Sequence, residues 1–510
     1  MQKSFYTLLS LYLIGMCVAV FAQDVEQKSL QLLNLGDAIS IALEKSYEMK
    51  VARLDKLAAE KNLISAKSNF KLRMDANFDL PSASEQVQET YREGNLPVYE
   101  TRGNYRYQGN LNITQPLPTN GRFRLQGQTY YGSVSYWDYG QQSTLRRTDV
   151  LTSLNLQFYQ PLFTLNDLKV NLKRADLRYE SAERRYKREE LDIIYQVTSA
   201  FYAYYRATRE LEIANENVKR QQELAELAQQ KYNAGLIPEV EALQLQVDFA
   251  QSRNAKVAAE AALVRMSDMF KQLIGLQFSD NVGVLTSFEM SKVDVALDHA
   301  IKLAKENRSE VRLSEIDVEL AQIDVKETDA IRDFNGTLSA FYDITGVANS
   351  DVWNTSKANE LWKKSLDDMD QRPDNRGVVF SLSIPIWDFG GNRAAVQSAE
   401  ANLRTQELAL AEMKKTIERE VRDVVGRLRE AESQLEVLEQ RQDIADRAYE
   451  ISVERFNNGD ITSQELALDR DRYIDAQVSY LDSYINYQLA LADLKRTTMY
   501  DYEHGHSLVE

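Results

Sequence analysis

Few residues of this sequence have the types and spacing that catalysis or metal binding requires. The chain has 3 histidines. His504 and His506 lie in the polar stretch EHGHSLVE, where we expect an unstructured end and a weak metal contact is the alternative. The sequence contains no GxSxG nucleophile elbow, no phosphate-binding glycine loop and no HExxH helix. It therefore predicts that the protein is not an enzyme and holds no cofactor or metal.

The N-terminal segment has the pattern of a secretory signal peptide. One lysine precedes an apolar core from about Leu8 to Val20, and small residues follow it. We expect cleavage after Ala22, so that residues 1–22 are the signal peptide, with an uncleaved anchor or a lipid-modified Cys17 as alternatives. After cleavage the mature chain has no cysteine, which excludes disulfides, thiol catalysis and cysteine metal sites.

The charge balance bears on possible partners. Lys and Arg total 61 against 77 Asp and Glu, for a net charge of −16. A nucleic-acid binder needs a basic surface to neutralise phosphates, so the balance argues against such a partner. No other stretch approaches about 18 uninterrupted apolar residues, which excludes a transmembrane helix after the signal. A membrane role must therefore come through strands.

A strand pattern that changes to a helical pattern at a proline occurs twice. In LTSLNLQFYQPLF and GVVFSLSIPIW, alternating apolar residues lead to Pro161 and Pro385, and an apolar pair and a long helical pattern follow. The two prolines are 224 residues apart, and so are Gly235 and Gly459. Two landmarks at one offset indicate an internal repeat.

The opening segments of the two copies also match, but at a larger offset. LGDAISIALEKSYEMKVARLDKLAAEKN at 35–62 resembles DHAIKLAKENRSEVRLSEIDVELAQ at 298–322 with an offset of 262, and each stretch is expected to form one opening helix. The first copy therefore carries 38 extra residues between its opening helix and its proline. These include a strand, a tight turn at 118–121 and a second long strand within 109–137. The expected domains are a first repeat at 23–289, a second repeat at 290–500 and a polar tail at 501–510.

Two very long helices dominate the pattern. From about Asn166 to Asn233, and from about Gly391 to Asn457, the sequence runs without proline, and about 68 residues at ~1.5 Å each reach ~100 Å. Each ends at a turn whose glycine can adopt the left-handed conformation. A new helix follows, with Pro238 near its first turn in one copy and Thr462 or Ser463 as a possible N-cap in the other. Each copy is therefore a strand pair joined to an antiparallel helical hairpin. A coiled-coil seam is expected along the second long helix, at Leu410, Met413, Ile417, Val421, Val424, Leu428, Ala431, Leu435 and Leu438. The aromatic stretch IIYQVTSAFYAYY at 193–205 is expected to be core.

The strands are too few to close a barrel within one chain. Two strand pairs supply four strands, or six if the extra hairpin joins the sheet, whereas a closed barrel needs about 8. We therefore expect a cyclic oligomer. Because added strands would widen the barrel, we favour the alternative in which the 38 extra residues prolong existing strands and fold over the outside.

The polar stretches at 84–104 and 349–376 suit extracellular loops. The strand-to-helix junctions lie at Pro161 and Pro385. The aromatic residues that follow them, Phe163 in the first copy and Trp387 and Phe389 in the second, suit an aromatic belt at the inner membrane surface.

From about Leu33 to Met499, the chain resembles the TolC-like outer membrane efflux protein family. The resemblance rests on the order of elements, the repeated junctions, the AFYAYY stretch and the turns YNAGL and FNNGDIT. It implies an α+β membrane protein: a homotrimer with a 12-stranded barrel in the outer membrane lipid of a Gram-negative bacterium, continued by a coiled-coil helical barrel across the periplasm. The implied function is the exit duct of a tripartite efflux pump or type I secretion system. The implied partners are a periplasmic adaptor protein and an inner-membrane transporter.

The resemblance also assigns roles to residues at the two helical turns. Gly235 and Leu236, and Gly459 with Asp460 and Ile461, match the periplasmic tip that docks the adaptor. Glu241 and Glu465 match acidic residues that narrow the tip, and a further acidic position of the family falls on Leu468 here, with Asp469 adjacent as the candidate. A solvated helix face is the alternative for the two glutamates. A coiled-coil scaffold without a channel, periplasmic or secreted, is the alternative for the whole chain, but it would not need strand pairs that end at aromatic junctions.

Overall fold

The computed structural model describes residues 30–90, 98–138, 142–286, 292–331, 334–350 and 358–508. The expected signal peptide and the expected repeat boundary at 289 lie outside the described residues. The helices are α1 (Leu35–Lys45), α2 (Tyr47–Ser68), α3 (Asp167–Asn233), α4 (Glu239–Ile274), α5 (Leu297–Asn307), α6 (Ser309–Ala330), α7 (Ala358–Gln371), α8 (Gly391–Asn458) and α9 (Ser463–Thr498). The strands are β1 (Gln31–Leu33), β2 (Arg73–Thr90), β3 (Val98–Pro116), β4 (Arg122–Asp138), β5 (Ser143–Leu162), β6 (Val282–Val284), β7 (Asn335–Ser350), β8 (Asn375–Ser383), β9 (Tyr500–Asp501) and β10 (His506–Ser507).

The duplicated helical pattern is confirmed. Helices α3 and α8 have 67 and 68 residues, and each is followed by a helix of 36 residues. The opening segment of each copy, expected as a single helix, is instead two helices that break at Ser46 and at Arg308, which are again 262 residues apart. Both breaks have extended ψ values, 149° and 128°. The Ser46 hydroxyl accepts a hydrogen bond from the Met49 N–H at 3.2 Å, and so caps the second helix of the first copy.

The chain divides into two compact units, of which the first comprises residues up to 53, 186–308 and 415 onward. Its core includes the aromatic stretch of α3, as expected, with Phe201, Tyr202 and Tyr204 buried. The Tyr204 hydroxyl donates to the Val282 carbonyl at 2.6 Å, on β6, which pairs in parallel with β1. The middle of the predicted seam on α8 is also buried, at Ile417, Val421, Val424, Leu428, Ala431 and Leu435.

The second unit, residues 54–185 and 309–414, contains an antiparallel sheet of six strands in the order β2-β3-β4-β5-β7-β8. The tight turn is confirmed: the Asn120 N–H donates to the Leu117 carbonyl at 3.0 Å, and Asn120 has φ +70°. The preference for extra residues folded over the outside is wrong. Strands β3 and β4 pair with each other and with β2 and β5 along their lengths, which satisfies their backbone groups within the sheet.

The two polar stretches are more regular than expected for loops. Residues 84–90 and 98–104 are paired ends of β2 and β3, although polar residues occupy them. The stretch 349–376 contains α7 and the start of β8. The stretches expected as extracellular loops therefore contain paired strand ends and a helix in their described residues. Polarity alone does not distinguish a water-exposed strand or helix from a loop, because all three can satisfy their side chains with solvent.

The register gives the sheet one apolar and one polar face. Residues that lie side by side on the apolar face form three cross-strand rows: Tyr107, Tyr131, Val150 and Ala348; Leu111, Gly127, Leu154 and Ile344; Ile113, Leu125, Leu156 and Tyr342. The row next to the last of these, on the opposite face, is Asn112, Gln126, Asn155 and Asp343. Alternation with period two thus separates the two environments.

The residues after α9 are ordered through Leu508, so the expectation of an unstructured tail is wrong for that part. Strands β9 and β10 pair, and the Leu508 N–H donates to the Met499 carbonyl at 2.9 Å. Burial acts to raise the pKa of Asp501, but hydrogen bonds from His504 and Lys495 lower it to about 2. Among the described residues, no helix has the length and apolar composition needed to cross a membrane.

Candidate functional site

The two turns that join the long helices to their partners have the same backbone. Gly235 has φ +75° and Gly459 has φ +85°, which confirms the predicted left-handed helix ends. At the first turn, the Leu236 N–H donates to the Lys231 carbonyl at 2.9 Å, and at the second the Asp460 N–H donates to the Arg455 carbonyl at 2.9 Å. These bonds close the last helical turn in Schellman fashion. We call residues 231–241 the first tip and 455–465 the second tip.

The tips expose different side chains at equivalent positions. Leu236 is 73% exposed at the first tip, and Asp460 is exposed at the second. The next residue in each copy, Ile237 or Ile461, is partly buried and packs inward. The core beneath the tips consists of Leu224, Ala225, Ala228, Ala242, Leu245, Tyr449, Phe456, Leu466 and Tyr473. Of the predicted docking residues, Leu236 and Asp460 therefore face solvent, whereas Ile461 contributes to packing.

The helices that follow the tips begin differently. Thr462 caps α9: its hydroxyl accepts from the Glu465 N–H at 3.3 Å, and the Glu465 carboxylate accepts from the Thr462 N–H at 2.9 Å. That backbone N–H, and after it the Thr462 hydroxyl, lower the pKa of Glu465. At the first tip the cap is Pro238, which makes no side-chain cap bond and has no N–H to offer. Within the described part of the chain, the Glu241 carboxylate has no hydrogen-bond partner.

Lys231 of the first tip stabilises the helix end of the second. Its Nζ donates to the carbonyls of Phe456 and Asn457, at 2.7 and 2.9 Å, and lies 4.8 Å from the centre of the Phe456 ring. A cation at a helix C-terminus satisfies free carbonyls and interacts favourably with the helix dipole. The equivalent residue, Arg455, is exposed, and its side chain donates no hydrogen bond to another described residue.

A buried ion pair joins the two hairpins below the tips. An Arg470 guanidinium nitrogen lies 3.3 Å from the Asp248 carboxylate, and the two side chains are only 12% and 5% exposed. Asp469, predicted as a constriction residue, accepts a bond from the Ser452 hydroxyl at 2.6 Å and pairs with Arg472 at 3.0 Å. Its carboxylate is therefore held by neighbours of its own chain.

Sequence reasoning did not find Lys231, Asp248 or Arg470. The partners are 222 or more residues apart in the chain, and a lone charge in a helical pattern normally marks a solvated face. Arg220 was missed for the same reason. It lies over the stacked rings of Tyr449 and Tyr473, 5.7 and 5.2 Å from their centres.

The strand-to-helix junctions lie in the second unit and carry exposed aromatic residues. Phe163 is 61% exposed with φ +62°, and it contacts Phe334 at 5.0 Å between ring centres. Trp387 is 77% exposed and packs edge-to-face on Phe389. Pro161 is still within the paired part of β5, whereas Pro385 follows the end of β8.

The helix after each junction begins at a side-chain cap. The Asn166 amide oxygen accepts from the Lys169 N–H at 3.1 Å at the start of α3. The Asp388 carboxylate accepts from the Asn392 N–H at 2.8 Å at the start of α8. Because an Asx cap satisfies free N–H groups of the first turn, the helix can begin within a few residues of the strand.

One group among the described residues has the composition of a metal site: Asp501, Glu503 and His504. The Asp501 carboxylate already accepts from the Glu503 N–H at 2.9 Å and from the His504 ring at 3.0 Å, and Lys495 pairs with both acidic residues. These contacts account for the cluster as the anchor of the β9–β10 hairpin.

Two segments of the chain, residues 133–276 and 300–498, match the family model described as Outer membrane efflux protein. The chain belongs to the outer membrane efflux protein family. It is therefore an outer-membrane efflux channel protein, and membership decides against the coiled-coil scaffold without a channel. The members of this family are channels and not enzymes. No curated protein matches the sequence.

Solved structures of low sequence identity have the same fold. The Campylobacter jejuni CmeC outer membrane channel is 14% identical, with 93% of this chain and 87% of that chain covered and a TM-score of 0.67. VceC, an outer membrane protein of Vibrio cholerae, is 15% identical, with 91% and 95% covered and a TM-score of 0.64. The open state of the Neisseria gonorrhoeae MtrE outer membrane channel is 14% identical, with 91% and 88% covered and a TM-score of 0.61.

Proposed function

We propose that this efflux channel is a homotrimer that serves as the outer-membrane exit duct of a tripartite pump or type I secretion system. The observation that carries this proposal is the pair of helical hairpins that end in equivalent Schellman turns and present Leu236 and Asp460 to solvent. An exposed apolar side chain on a rigid turn is a suitable anchor for a partner. We assign it to a periplasmic adaptor, which would connect the duct to an inner-membrane transporter.

The sheet supports the trimer. Within one chain, β2 and β8 are the edges of a six-stranded sheet, and an open edge cannot face lipid. Three copies that pair β2 of one chain with β8 of the next would close a barrel. That barrel would contain 18 strands, three times the six of one chain, rather than the 12 that the family resemblance implies. The aromatic junction residues Phe163 and Trp387 would then lie at its periplasmic rim.

In this proposal each tip also filters what enters the duct. Glu241 and Glu465 occupy equivalent positions in the first turn of α4 and α9, and their carboxylates would favour cations at a narrow entrance. Glu241 is free to face the entrance, whereas Glu465 is held by its capping box. Asp469 is bound to Ser452 and Arg472, so we expect it to contribute least.

We further propose that the domains follow the repeat. Residues 23–289 form the first copy and 290–500 the second, and each contributes one hairpin with one tip. The matching helix lengths and the equivalent breaks at Ser46 and Arg308 support this division. The ordered residues from 501 onward would close the second copy at the end of α9.

The adaptor-docking role is tested by Leu236→Asp in a strain that lacks the chromosomal copy. We expect this variant to remain a trimer in the outer membrane but to leave dye efflux, or secretion of the cognate polypeptide, at the level of the deletion strain. Leu408→Asp, a similarly exposed leucine on α8 in the other compact unit, serves as the matched control and should retain transport. Transport at the wild-type level by Leu236→Asp would contradict docking at the first tip.

A further inference from the structure

Helix α7 lies on the apolar face of the sheet and is tightly fixed there. The Ser365 hydroxyl donates to the Gly346 carbonyl at 2.9 Å, and the Asp368 carboxylate accepts from the Val347 N–H at 2.8 Å. A Cβ atom at position 346 would lie 1.8 Å from the Ser365 carbonyl oxygen, so only glycine permits this approach. Leu361 of the helix is buried in a cluster with Tyr131, Val150 and Ala348.

Two side chains of the helix contact neighbouring parts of the same sheet face. The Trp362 indole N–H donates to the Thr129 hydroxyl on β4 at 2.6 Å, and Ser365 contacts Gly346 on β7. Thr129 and Gly346 belong to one cross-strand row, which passes through Thr152.

The apolar face changes composition where α7 lies. Between Val150 and Leu162, the outward residues are mainly Val, Leu and Phe, whereas beyond Val150 the same face continues with Thr148, Ser133 and Arg146. About 12 residues at ~3.3 Å, tilted by ~40°, span a height of ~30 Å, which matches the hydrocarbon thickness of a bilayer. The helix therefore marks one boundary of the apolar band, and the junction at Phe163 marks the other.

The helix itself is amphipathic, with an apolar edge next to the band. Trp362 and Leu366 are 38% and 49% exposed beside the sheet, and the outward side carries Glu360, Lys363, Lys364, Asp367 and Asp370. Below the helix, a groove of about 480 Å³ is lined mainly by apolar residues, among them Phe78, Leu111, Leu154 and Met369. Its walls offer almost no polar partner, which suits an alkyl chain.

We propose that α7 is an interfacial helix in the headgroup region of the leaflet opposite the strand-to-helix junctions, and that the groove beside Met369 holds an acyl chain of a lipid in that leaflet. The charged side of the helix faces headgroups and water, and Trp362 and Leu366 face acyl chains, as in other helices that lie in a membrane interface. The outer-membrane location of the family supplies the lipid, and continuity of the groove with the apolar band supplies the route.

Fluorescence quenching by brominated lipids tests this placement in the full-length protein, reconstituted in phosphatidylcholine vesicles. The variant W137F/W353F/W387F keeps Trp362 as its one tryptophan. Two control variants carry a single tryptophan elsewhere. W353F/W362F/W387F keeps Trp137, which lies at the polar end of β4. In the other, all four native tryptophans are replaced by phenylalanine, and Phe380→Trp places the single tryptophan within the apolar band.

We expect lipids brominated near the headgroup end of the acyl chain to reduce Trp362 fluorescence by about twofold, and lipids brominated near the chain middle to reduce it less. Phe380→Trp should be quenched by both lipids and Trp137 by neither. Adding Leu366→Asp should weaken the quenching of Trp362. Quenching of Trp362 no stronger than that of Trp137 would overturn the proposal, whether the helix lies in water or is covered by a second copy. Lack of quenching at Phe380→Trp would also overturn it, because the apolar face would then not face lipid.

Discussion

The first and second tips have the same backbone but different means of stabilisation. Both close with a left-handed glycine, and both are followed by a helix with glutamate in its first turn. At the second tip, side chains satisfy the free backbone groups of both helix ends. Thr462 and Glu465 form a capping box at the start of α9, and Lys231 of the first tip binds free carbonyls at the end of α8. The first tip has Pro238 at the cap, an exposed leucine and an unheld Glu241.

The difference shows that duplication preserves geometry more strictly than chemistry. Glycine is required wherever the chain must take positive φ, so both turns keep it. Side chains that project from the same backbone can change freely, and here the first tip became apolar and open while the second became polar and capped. We infer that the first tip is specialised for contact with a partner and the second for holding the hairpins together.

The largest effect is expected from breaking the buried ion pair that joins the hairpins. Asp248→Leu leaves the buried Arg470 with the exposed Asp471 as its ion-pair partner. Loss of one partner of a buried pair should lower the free energy of local unfolding by about 3 kcal/mol. Amide exchange around residues 466–473 should then be roughly 100-fold faster. Hydrogen exchange on the detergent-purified protein measures this.

The repeat supplies a matched control, since Arg472 is the position equivalent to Asp248 and is 66% exposed. Arg472→Ala should change exchange by less than about twofold. The double variant Asp248→Leu/Arg470→Met should recover most of the lost protection, because an apolar pair replaces the ionic one. Equal effects of Asp248→Leu and Arg472→Ala would show that burial does not distinguish the two positions.

A smaller effect is expected from removing the contact by which one tip supports the other. Lys231→Met removes two charge-assisted hydrogen bonds to the end of α8, so exchange at 456–460 should accelerate about 5- to 30-fold, equivalent to about 1–2 kcal/mol. Arg455→Met is the control at the equivalent position, where the side chain is exposed, and should have little effect. A larger acceleration of exchange in Arg455→Met than in Lys231→Met would contradict the claim that the first tip stabilises the second.

The capping difference can be removed by exchanging residues between tips. Thr462→Ala should cost about 1 kcal/mol and speed exchange in the first turn of α9 about fivefold. Pro238→Ser gives the first tip the sequence Ser-Glu-Val-Glu, a capping-box pattern. A gain of about 1 kcal/mol from the cap, offset by about 0.5 kcal/mol of lost proline rigidity, should slow exchange in α4 about twofold. Faster exchange in Pro238→Ser would count against the proline as the cause of the difference.

The smallest effect is expected from pH. The capping box lowers the pKa of Glu465, so its stabilisation is complete above the ordinary glutamate value of about 4.3 and is lost as the pH falls through the lowered value. Protection of the first turn of α9, corrected for intrinsic exchange rates, should therefore decrease below about pH 4. Glu465→Gln should remove this dependence, because it removes the titrating carboxylate, whereas Thr462→Ala keeps the backbone N–H and should only weaken it. A dependence that persists unchanged in Glu465→Gln would show that another group is responsible.

Local patterns predicted much of this fold. Helical periodicity without proline gave the limits of α3 and α8 to within about one residue, and glycine located both turns, because each signal acts within a few neighbouring residues. The breaks at Ser46 and Arg308 lack proline or glycine and were missed. Membership of β3 and β4 in the main sheet was foreseen only as the less favoured alternative, since alternation identifies a strand but not its partners.

The tip chemistry could be predicted only in part. Thr462 was recognisable as a possible cap from its place after the turn. Lys231, Asp248 and Arg470 act on partners more than 200 residues away, which become neighbours only when the hairpins pack. Helix α7 was hidden in a polar stretch because just a narrow stripe around Leu361 and Ser365 is buried.

Single-channel recording in a planar bilayer, on protein whose oligomeric mass is measured in the same preparation, tests the central claim most directly. We predict a trimer that inserts and conducts ions, and whose preference for cations decreases more in Glu241→Gln than in Glu465→Gln, because only the second carboxylate is held in a capping box. A protein that stays monomeric and never conducts would contradict the account.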